Sequence, residues 1–383
     1  MTTVDALITG AGPAGTSCAL ALARSGWRVV IIDKATFPRH KTCGGFIGPE
    51  NKALLTDLGI WSKLLEKGAC IVGQSILTAS RGALTIMPIE GVALGVSRQL
   101  LDTLLLDRVK AAGVGVYEGA QVRNLYNHGG GFNVLVDHYG DNLQLNICAR
   151  HIIDASGHRS PQGGLKNIQL GIAALYENMP QASGRVMLHC CQGGHVGINP
   201  FENQQVNVCY VVDAKHFETK DRDPQRILAD WVQENPHLRK VMQGAKRVSS
   251  WKAVYIPRRK TVTLFENGVW RAGDVAAFID TATGGGISVA LLSGQLLAMA
   301  LTEYERDEDR LKVYTHEYLR HFSWQRRLAA LFGDLVHRPW LADSIIRLLD
   351  INYRIRRAAM SYSRPMAVIK SGVEHMKDER SFV

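Results

Sequence analysis

The chain opens on a strand-turn-helix pattern that few folds accommodate. An apolar run from Val4 to Thr9 meets the segment Gly10-Ala11-Gly12-Pro13-Ala14-Gly15, and small residues continue in a helical pattern to Ala23. Gly10 permits a tight turn, Gly12 lets backbone amides approach a pyrophosphate, and Gly15 lets the helix pack on the strand. Helix N-termini attract anions, so Pro13 and Ala14 belong to the predicted phosphate site. The segment predicts a dinucleotide-binding turn.

A second apolar run, Val29 to Ile32, ends at Asp33. An acid at this point of a βαβ unit accepts hydrogen bonds from the ribose hydroxyls of an adenosine. We therefore predict that Asp33 and the adjacent Lys34 contact the nucleotide. The strand, helix and acid together favour a binding site over a glycine-rich turn without a ligand. Because the first strand begins at residue 4, we expect no signal or transit segment before it.

A second glycine-rich segment lies more than two hundred residues later. Gly273 and Asp274 follow an apolar strand, and a turn containing Gly285 and Gly286 precedes a small-residue helix that starts near Ile287. Asp274 can accept hydrogen bonds from ribityl or ribose hydroxyls. The bare amides at the helix start can hold an anionic ring edge. We predict that all five residues contact the same nucleotide as the first turn.

The pairing of these two glycine-rich segments resembles FAD-dependent oxidoreductases of the glutathione-reductase type, in the superfamily of geranylgeranyl reductases, aromatic hydroxylases and flavin halogenases. The segment Lys41-Thr42-Cys43-Gly44-Gly45 is similar to the Lys-Pro-Cys-Gly-Gly segment of geranylgeranyl reductases, which lies beside the flavin ring. The resemblance implies that FAD is the cofactor and that Cys43 and Gly44 contact it. It also places Arg98 against the flavin nucleotide and the backbone of Val122 against the adenine.

The expected fold is α/β, with a Rossmann-type FAD-binding domain, an inserted substrate domain made mainly of antiparallel β-sheet, and a helical C-terminal region. Helical spacing of leucines over 96–112, followed by a strand at 114–117, continues the α/β pattern, whereas alternation over 71–88 and 168–262 predicts antiparallel strands. We assign 1–70, 96–165 and 263–300 to the FAD-binding domain, 71–95 and 166–262 to the substrate domain, and 301–383 to the helical region.

Candidate catalytic residues lie in the segment that follows Asp33. Cys43, beside the predicted ring position, could donate a proton or only shape the pocket, and His40 could protonate a substrate carbanion or face solvent. Trp251, Tyr255 and Pro257 end a strand of the inserted sheet and are candidates for lining the substrate cavity. An aromatic strand end is also ordinary core, so the sequence leaves both interpretations open.

Three functions fit these residues. The first is a flavoenzyme that reduces or desaturates a hydrophobic substrate, such as a prenyl chain, a polyketide or a phenolic lipid, by hydride transfer at flavin N5. The second is an aromatic-hydroxylase-type monooxygenase, and the third is a flavin-binding redox-responsive protein without turnover. Halogenation is disfavoured because Trp251 to Pro257 only partly matches the halogenase Trp-x-Trp-x-Ile-Pro motif. Residues Phe278 to Gly286 also have Thr281 and Gly284 where the halogenase flavin turn Phe-x-x-Pro-x-x-Ser-x-Gly has proline and serine.

Composition restricts the partners and the compartment. The chain has 383 residues, a net charge of +10 and seven cysteines without paired metal-type spacing, so we expect a reducing, cytoplasmic location and no bound metal. With one nucleotide fingerprint, NAD(P)H would bind transiently or a separate reductase would supply electrons. No nucleic-acid motif is present. Arginines alternate with apolar residues after Arg320, which fits either helices packed on the body or peripheral contact with the inner face of a membrane.

Overall fold

The computed structural model describes residues 2–139, 143–157, 168–257, 261–336, 338–351 and 356. Its strands are β1 Thr2–Thr9, β2 Val29–Asp33, β3 Phe46–Ile47, β4 Cys70–Ala79, β5 Leu84–Gly95, β6 Gly115–Glu118, β7 Ala120–His128, β8 Gly131–His138, β9 Leu143–Asp154, β10 Ile168–Glu177, β11 Arg185–Cys191, β12 Gly194–Pro200, β13 Val206–Asp213, β14 Lys246–Arg247, β15 Lys252–Pro257, β16 Phe265–Glu266 and β17 Val269–Arg271. Its α-helices are α1 Pro13–Arg24, α2 Lys52–Asp57, α3 Trp61–Glu66, α4 Arg98–Ala111, α5 Ala214–Glu218, α6 Pro224–Glu234, α7 Pro236–Met242, α8 Gly286–Glu303, α9 Asp307–Val336 and α10 Pro339–Ile351.

The first sheet has the order β16-β17-β9-β1-β2-β6, and its central strands β17, β9, β1, β2 and β6 are parallel. Ile8 pairs with Ile31 on one side and Ile153 on the other, and all three are fully buried. Such continuous apolar strands are typical of a parallel sheet covered on both faces. Strands β7 and β8 form a hairpin that joins this sheet through β9, with its turn at Gly129 and Gly130.

The second sheet has the order β14-β10-β13-β12-β11-β4-β5-β3, with β15 also paired to β10. Its pairings are antiparallel apart from β4 with β11. The buried residues Ile227, Leu228 and Trp231 of α6 and Leu238 of α7 pack into its core. Residues 46–95 and 168–257 thus build this sheet, while α4 and the parallel sheet come from the segments before, between and after them.

Helix α8 packs against α1 at very short range. A Cβ on Gly294 would lie 2.3 Å from the carbonyl oxygen of Ala14, so only glycine allows this approach. In the described part of the chain, α8 is the one helix long and apolar enough by composition to cross a membrane, but 67% of it is buried inside the fold. Burial against α1 explains its apolar character.

Helices α9 and α10 pack on the body of the protein. Phe322 of α9 is fully buried, and Ala342, Ile346 and Leu349 of α10 join a core cluster with β4 and β5 residues. The α/β prediction with an inserted antiparallel sheet and a helical C-terminal region is therefore confirmed. The last part of the predicted helical region, 352–355 and 357–383, lies outside the described residues.

Candidate functional site

The turn between β1 and α1 contains three glycines, and the space around each of them differs. A Cβ on Gly10, which has φ of +101°, would lie 2.5 Å from the carbonyl oxygen of Ala155, and one on Gly15 would lie 1.9 Å from that of Gly10. Among the described residues, a Cβ at Gly12 would meet only the guanidinium ends of Arg98 and Arg39, at 3.5 and 3.8 Å. The fold itself requires Gly10 and Gly15, whereas Gly12 keeps space open at the end of α1.

Asp33 stands at the end of β2, as predicted, and fixes the turn. Its Oδ2 accepts a hydrogen bond from the amide of Ala11 at 2.8 Å, and its Oδ1 accepts one from the amide of Ala35 at 2.9 Å. The side chain of Lys34 is exposed. Val122 lies on β7, where it pairs with Val136 of β8, and β7 contacts β2. The contacts of Lys34 and Val122 with the cofactor stay predictions.

Two arginines converge on the open space at Gly12. Asp102, fully buried, accepts hydrogen bonds from Arg98 Nε and Nη2 at 2.8 and 2.7 Å, and its Oδ2 lies 3.1 Å from Arg39 Nη2. Burial alone would lower the pKa of Arg98, but the Asp102 carboxylate raises it overall. The α1 N-terminus and two fixed cations together form an anion site. Arg98 is a predicted residue, and Arg39 is one that sequence reasoning missed.

Lys41 is a third cation near this site, and sequence reasoning did not predict its role. It lines the cavity, as does Asp274. Burial lowers the pKa of its ammonium; Arg98 and Arg39 act in the same direction, while Asp274 and Asp102 oppose them. The Nζ of Lys41 lies 3.2 Å from where a Cβ on Gly157 would stand. Basic residues in the segment from Arg39 to Lys41 were the available signal, but the sequence does not show that they turn inward.

The second glycine-rich segment meets the first one directly. Gly273, with φ of +71°, approaches Ala14 so closely that a Cβ would lie 2.9 Å from the Ala14 Cβ, and its amide donates to Ser293 Oγ at 2.9 Å. Asp274 lines the cavity. Gly286 and Ile287 at the start of α8 also line it, and no atom of a described residue lies within 4 Å of a Cβ built on Gly286. The N-termini of α1 and α8 therefore end on one cavity.

Gly285 has a different environment from its neighbour. A Cβ there would lie 2.5 Å from Gln325 Nε2 of α9, and Gly285 is not among the cavity-lining residues. Its absence of a side chain lets α9 pack on the start of α8.

The loop at Cys43 is fastened to the second sheet by two buried amides. Asn207 Nδ2 donates to the Cys43 carbonyl at 3.0 Å, and Asn199 Nδ2 donates to the Gly44 carbonyl at 3.1 Å. Cys43 and Gly44 both line the cavity. We call these two hydrogen bonds the clamp on the Cys43 loop. Its sequence signal was the presence of asparagines inside apolar strands, but local patterns do not connect them to a loop 155 and 164 residues earlier.

A cavity of about 640 Å³ extends from this site across the inner face of the second sheet. Its walls are mostly apolar. They include Leu77, Met87, Ile172, Met187 and Ile198. Gly197 faces the cavity beside Cys209, whose Sγ would lie 3.1 Å from a Cβ there, so small residues keep this wall open.

Two of the predicted substrate-lining residues, Tyr255 of β15 and Trp251 just before it, do not face the cavity. Val254 and Ile256 line the cavity, whereas Trp251 and Tyr255 do not. Successive strand residues point to opposite faces, so the prediction identified the strand but chose the wrong alternation. Trp251 instead packs against the rings of Tyr176 and Tyr210, and the side chain of Pro257 lies outside the described residues.

His40 is also corrected by the structure. Its side chain is exposed and is not among the residues that line the cavity. Burial of part of the ring and the charge of Lys252 lower its pKa. The surroundings match the alternative of a solvent-facing loop residue, and they remove His40 as a proton donor to a substrate in this cavity.

These residues fit FAD. Two helix N-termini, Lys41 and Arg98 border one cavity, and Arg39 lies beside Gly12. A Cβ on Gly12 would leave the protein unstrained but would take up space that a phosphate needs. Asp274 lines the same cavity and supplies an acceptor for hydroxyl groups. The pyrophosphate fits at Gly12, Arg39 and Arg98, and the ring fits near Cys43, Gly44 and the start of α8.

Comparison with known proteins supports the same cofactor. The family model described as "FAD binding domain" matches residues 3–326. A menaquinone reductase of Mycobacterium tuberculosis is 28% identical, covering 85% of this chain and 83% of its own, and a 1H-pyrrole-2-carbonyl peptidyl-carrier-protein brominase of Pseudoalteromonas luteoviolacea is 23% identical, covering 90% and 91%.

Among solved structures, a geranylgeranyl bacteriochlorophyll reductase-like protein from Thermoplasma acidophilum superposes with a TM-score of 0.77 at 18% identity. The match covers all of both chains. At this identity the match establishes the fold alone. Together with the family model and the cavity geometry, it leads to one conclusion: the chain belongs to the FAD binding domain family and is a flavoprotein of the FAD-dependent oxidoreductase type.

Proposed function

We propose that this protein reduces a carbon-carbon double bond in a large lipophilic substrate of the prenyl type. The observation that carries the proposal is the cavity of about 640 Å³ with mostly apolar walls, which is continuous with the residues that fit the cofactor. Apolar walls of this kind stabilise a hydrocarbon chain and exclude water from the reacting atoms. The menaquinone reductase relative and the geranylgeranyl reductase-like structure, both named for prenylated compounds, support the same substrate class.

Reduction of a double bond needs a hydride on one carbon and a proton on the other. FAD supplies the hydride chemistry when it is bound, and NAD(P)H or a separate reductase replaces the two electrons. The chain must hold the substrate, exclude water and supply the proton. Cys43 and Lys41 are the proton-bearing side chains that we assign to this step, because both line the cavity. The lowered pKa of Lys41 makes its ammonium a better acid than an exposed lysine.

The clamp on the Cys43 loop fits this assignment. Asn199 and Asn207 hold the carbonyls of Gly44 and Cys43, so the loop keeps a fixed position over the cavity. Fixed placement of a proton donor contributes to the rate because no reorganisation is needed during reaction. We treat both asparagines as positioning residues.

Oxygenation and halogenation are the competing reactions. The brominase relative keeps halogenation in consideration. Against it, Thr281 and Gly284 line the cavity where the halogenase motif has proline and serine, and the wall formed by β15 presents Val254 and Ile256 rather than tryptophan. We therefore place reduction first.

The test is turnover without oxygen, followed by mass analysis of the product. Enzyme, NAD(P)H or dithionite, and a polyprenyl lipid are expected to give a product with two more hydrogen atoms for each bond reduced. Dependence on oxygen with an oxygenated product would replace reduction by monooxygenation, and halide-dependent mass changes would replace it by halogenation.

Two neighbouring residues of β15 provide matched variants for the cavity. Val254→Phe adds bulk on the cavity face and is expected to lower kcat/KM for a long prenyl chain by about tenfold, the effect of losing roughly 1.4 kcal/mol of binding. Tyr255→Phe changes a side chain outside the cavity and is the control, with kcat/KM expected to stay unchanged. Equal effects of the two variants would contradict the assignment of this wall.

A further inference from the structure

Helix α9 carries apolar side chains on its outer face, in addition to those buried against the body. Trp324 and Leu331 are 56% and 58% exposed, although both also line the cavity. Side chains that line a cavity and face solvent mark its opening. The cavity mouth, by which we mean the opening bordered by Trp324 and Leu331, is therefore apolar on its outside as well as its inside.

Helix α10 repeats this arrangement beside the mouth. Leu349 lines the cavity, while Trp340, Leu348 and Ile351 are 57%, 54% and 83% exposed. Residues 340, 344, 347, 348 and 351 recur at helical spacing and thus form one outer stripe. We name the exposed apolar residues of the two helices the docking rim: Trp324, Leu331, Trp340, Leu348 and Ile351. An exposed apolar cluster of this kind marks an interaction surface.

Charges on the same outer faces indicate the chemistry of the partner. Arg327 and Arg338 are exposed beside the rim, and Arg320 lies one turn before Trp324. The two acids of α10 are each paired with an arginine. The Asp343 carboxylate is buried and accepts hydrogen bonds from Arg347 Nε and the amide of Ala83, and the exposed Asp350 lies 3.6 Å from Arg356 Nη1. A surface that combines tryptophan, aliphatic side chains and arginine fits the boundary between anionic headgroups and acyl chains.

We propose that the docking rim binds the surface of an anionic lipid bilayer and directs the cavity mouth toward its hydrocarbon. A lipophilic substrate then enters the cavity without crossing water. Docking does not depend on the proposed reaction, whereas the route of substrate entry rests on it. Helix α8 takes no part in this contact, because it is packed against α1 inside the fold.

Vesicle flotation tests the docking. The holoenzyme is expected to float with vesicles of phosphatidylcholine mixed with phosphatidylglycerol, and to bind vesicles of phosphatidylcholine alone more weakly. The paired substitution Trp340→Ser and Leu348→Ser removes rim side chains that do not line the cavity. It is expected to weaken binding by about tenfold or more, because two apolar side chains that would be buried in the lipid are lost. Ile71→Ser, which alters a similarly exposed side chain on β4, is the control.

Fluorescence gives an independent readout of the depth of contact. Trp324 and Trp340 are the exposed tryptophans of the described chain, whereas Trp61, Trp231 and Trp270 are buried. Brominated acyl chains in anionic vesicles are expected to quench the exposed pair.

Arg327→Gln with Arg338→Gln is expected to reduce binding to anionic vesicles and the salt dependence of that binding, because salt screens the contribution of charge.

Several results would overturn the docking proposal. Wild-type flotation that is absent, or unchanged by the Trp340 and Leu348 substitutions in protein with normal flavin content and thermal midpoint, removes the rim as a lipid site. A change of oligomeric state in lipid-free buffer, with vesicle binding unaffected, would assign the rim to a second copy of the chain. Reduction of a detergent-dispersed prenyl substrate without vesicle binding would remove docking and leave the proposed reaction in place.

Discussion

Gly12 and Gly15 stand three residues apart on the same turn, and the structure assigns them opposite consequences on replacement by alanine. In the part of the chain that the structure describes, the Cβ added at Gly12 would contact only the side-chain ends of Arg98 and Arg39, at 3.5 and 3.8 Å. The backbone of Gly12, with φ of −80°, suits alanine. The substitution should leave folding intact and can stabilise the chain by about 0.4–1 kcal/mol, since alanine restricts the unfolded state.

The same Gly12→Ala substitution should weaken FAD binding. A methyl group at Gly12 occupies space beside the amides at the start of α1 and displaces a phosphate from them and from Arg98. Losing about two charge-assisted hydrogen bonds, at about 1.5–3 kcal/mol each, weakens binding by roughly 3 kcal/mol or more, which is about a hundredfold in Kd. Gly15→Ala is the matched comparison, because its Cβ would lie 1.9 Å from a backbone oxygen and should destabilise folding by several kcal/mol.

The assay combines two measurements on protein from which flavin has been removed. Urea unfolding gives the free energy of unfolding, and titration with FAD, followed by quenching of flavin fluorescence, gives Kd. Wild-type FAD affinity in the Gly12→Ala protein would refute the placement of the pyrophosphate. A Gly15→Ala protein as stable as wild type would refute the packing argument.

Three further predictions concern buried polar groups. Asp102→Asn should lower the free energy of unfolding by about 3 kcal/mol because it leaves two arginines without their carboxylate, whereas Asp57→Asn at an exposed pair should cost under about 1 kcal/mol in the same urea assay. Burial lowers the pKa of His189 to about 3, so only the unfolded state takes up this proton as the pH drops from 6.5 to 3. The free energy of unfolding should therefore fall by about 1.4 kcal/mol for each pH unit in that window. A His189→Asn protein whose stability falls as steeply as that of wild type between pH 6.5 and 5 would contradict this. Asn207→Ala should lower kcat by about tenfold while flavin content is retained, since it releases the Cys43 carbonyl; loss of flavin with unchanged kcat per flavin would argue for a purely structural role.

The parts of the site that sequence predicts are those encoded within one short segment. The Gly10 to Gly15 turn, Asp33 at the end of β2 and Gly273 with Asp274 each combine a backbone requirement and a functional group in a few neighbouring residues. Arg98 came from a resemblance and is the first residue of α4. Local geometry was therefore predictable because glycine conformation and strand ends leave direct signals.

The parts that sequence misses depend on contacts between distant segments. Arg39 and Lys41 turn inward because Asp102 and Asp274 lie opposite them, and Asn207 meets Cys43 across 164 positions of sequence. No local sequence pattern indicates any of these pairs. The error at Tyr255 has a different origin, since alternation identifies two faces of a strand but not which one meets a cavity.

The central claim, that this flavoprotein reduces a carbon-carbon double bond held in its apolar cavity, is tested most directly by single turnover in the absence of oxygen. Enzyme with fully reduced flavin is mixed with a polyprenyl lipid, and flavin absorbance and product mass are recorded together. The account predicts reoxidation at a rate that rises with substrate concentration, with one reduced bond formed per flavin. Flavin that stays reduced until oxygen is admitted, with an oxygenated or halogenated product, would contradict it.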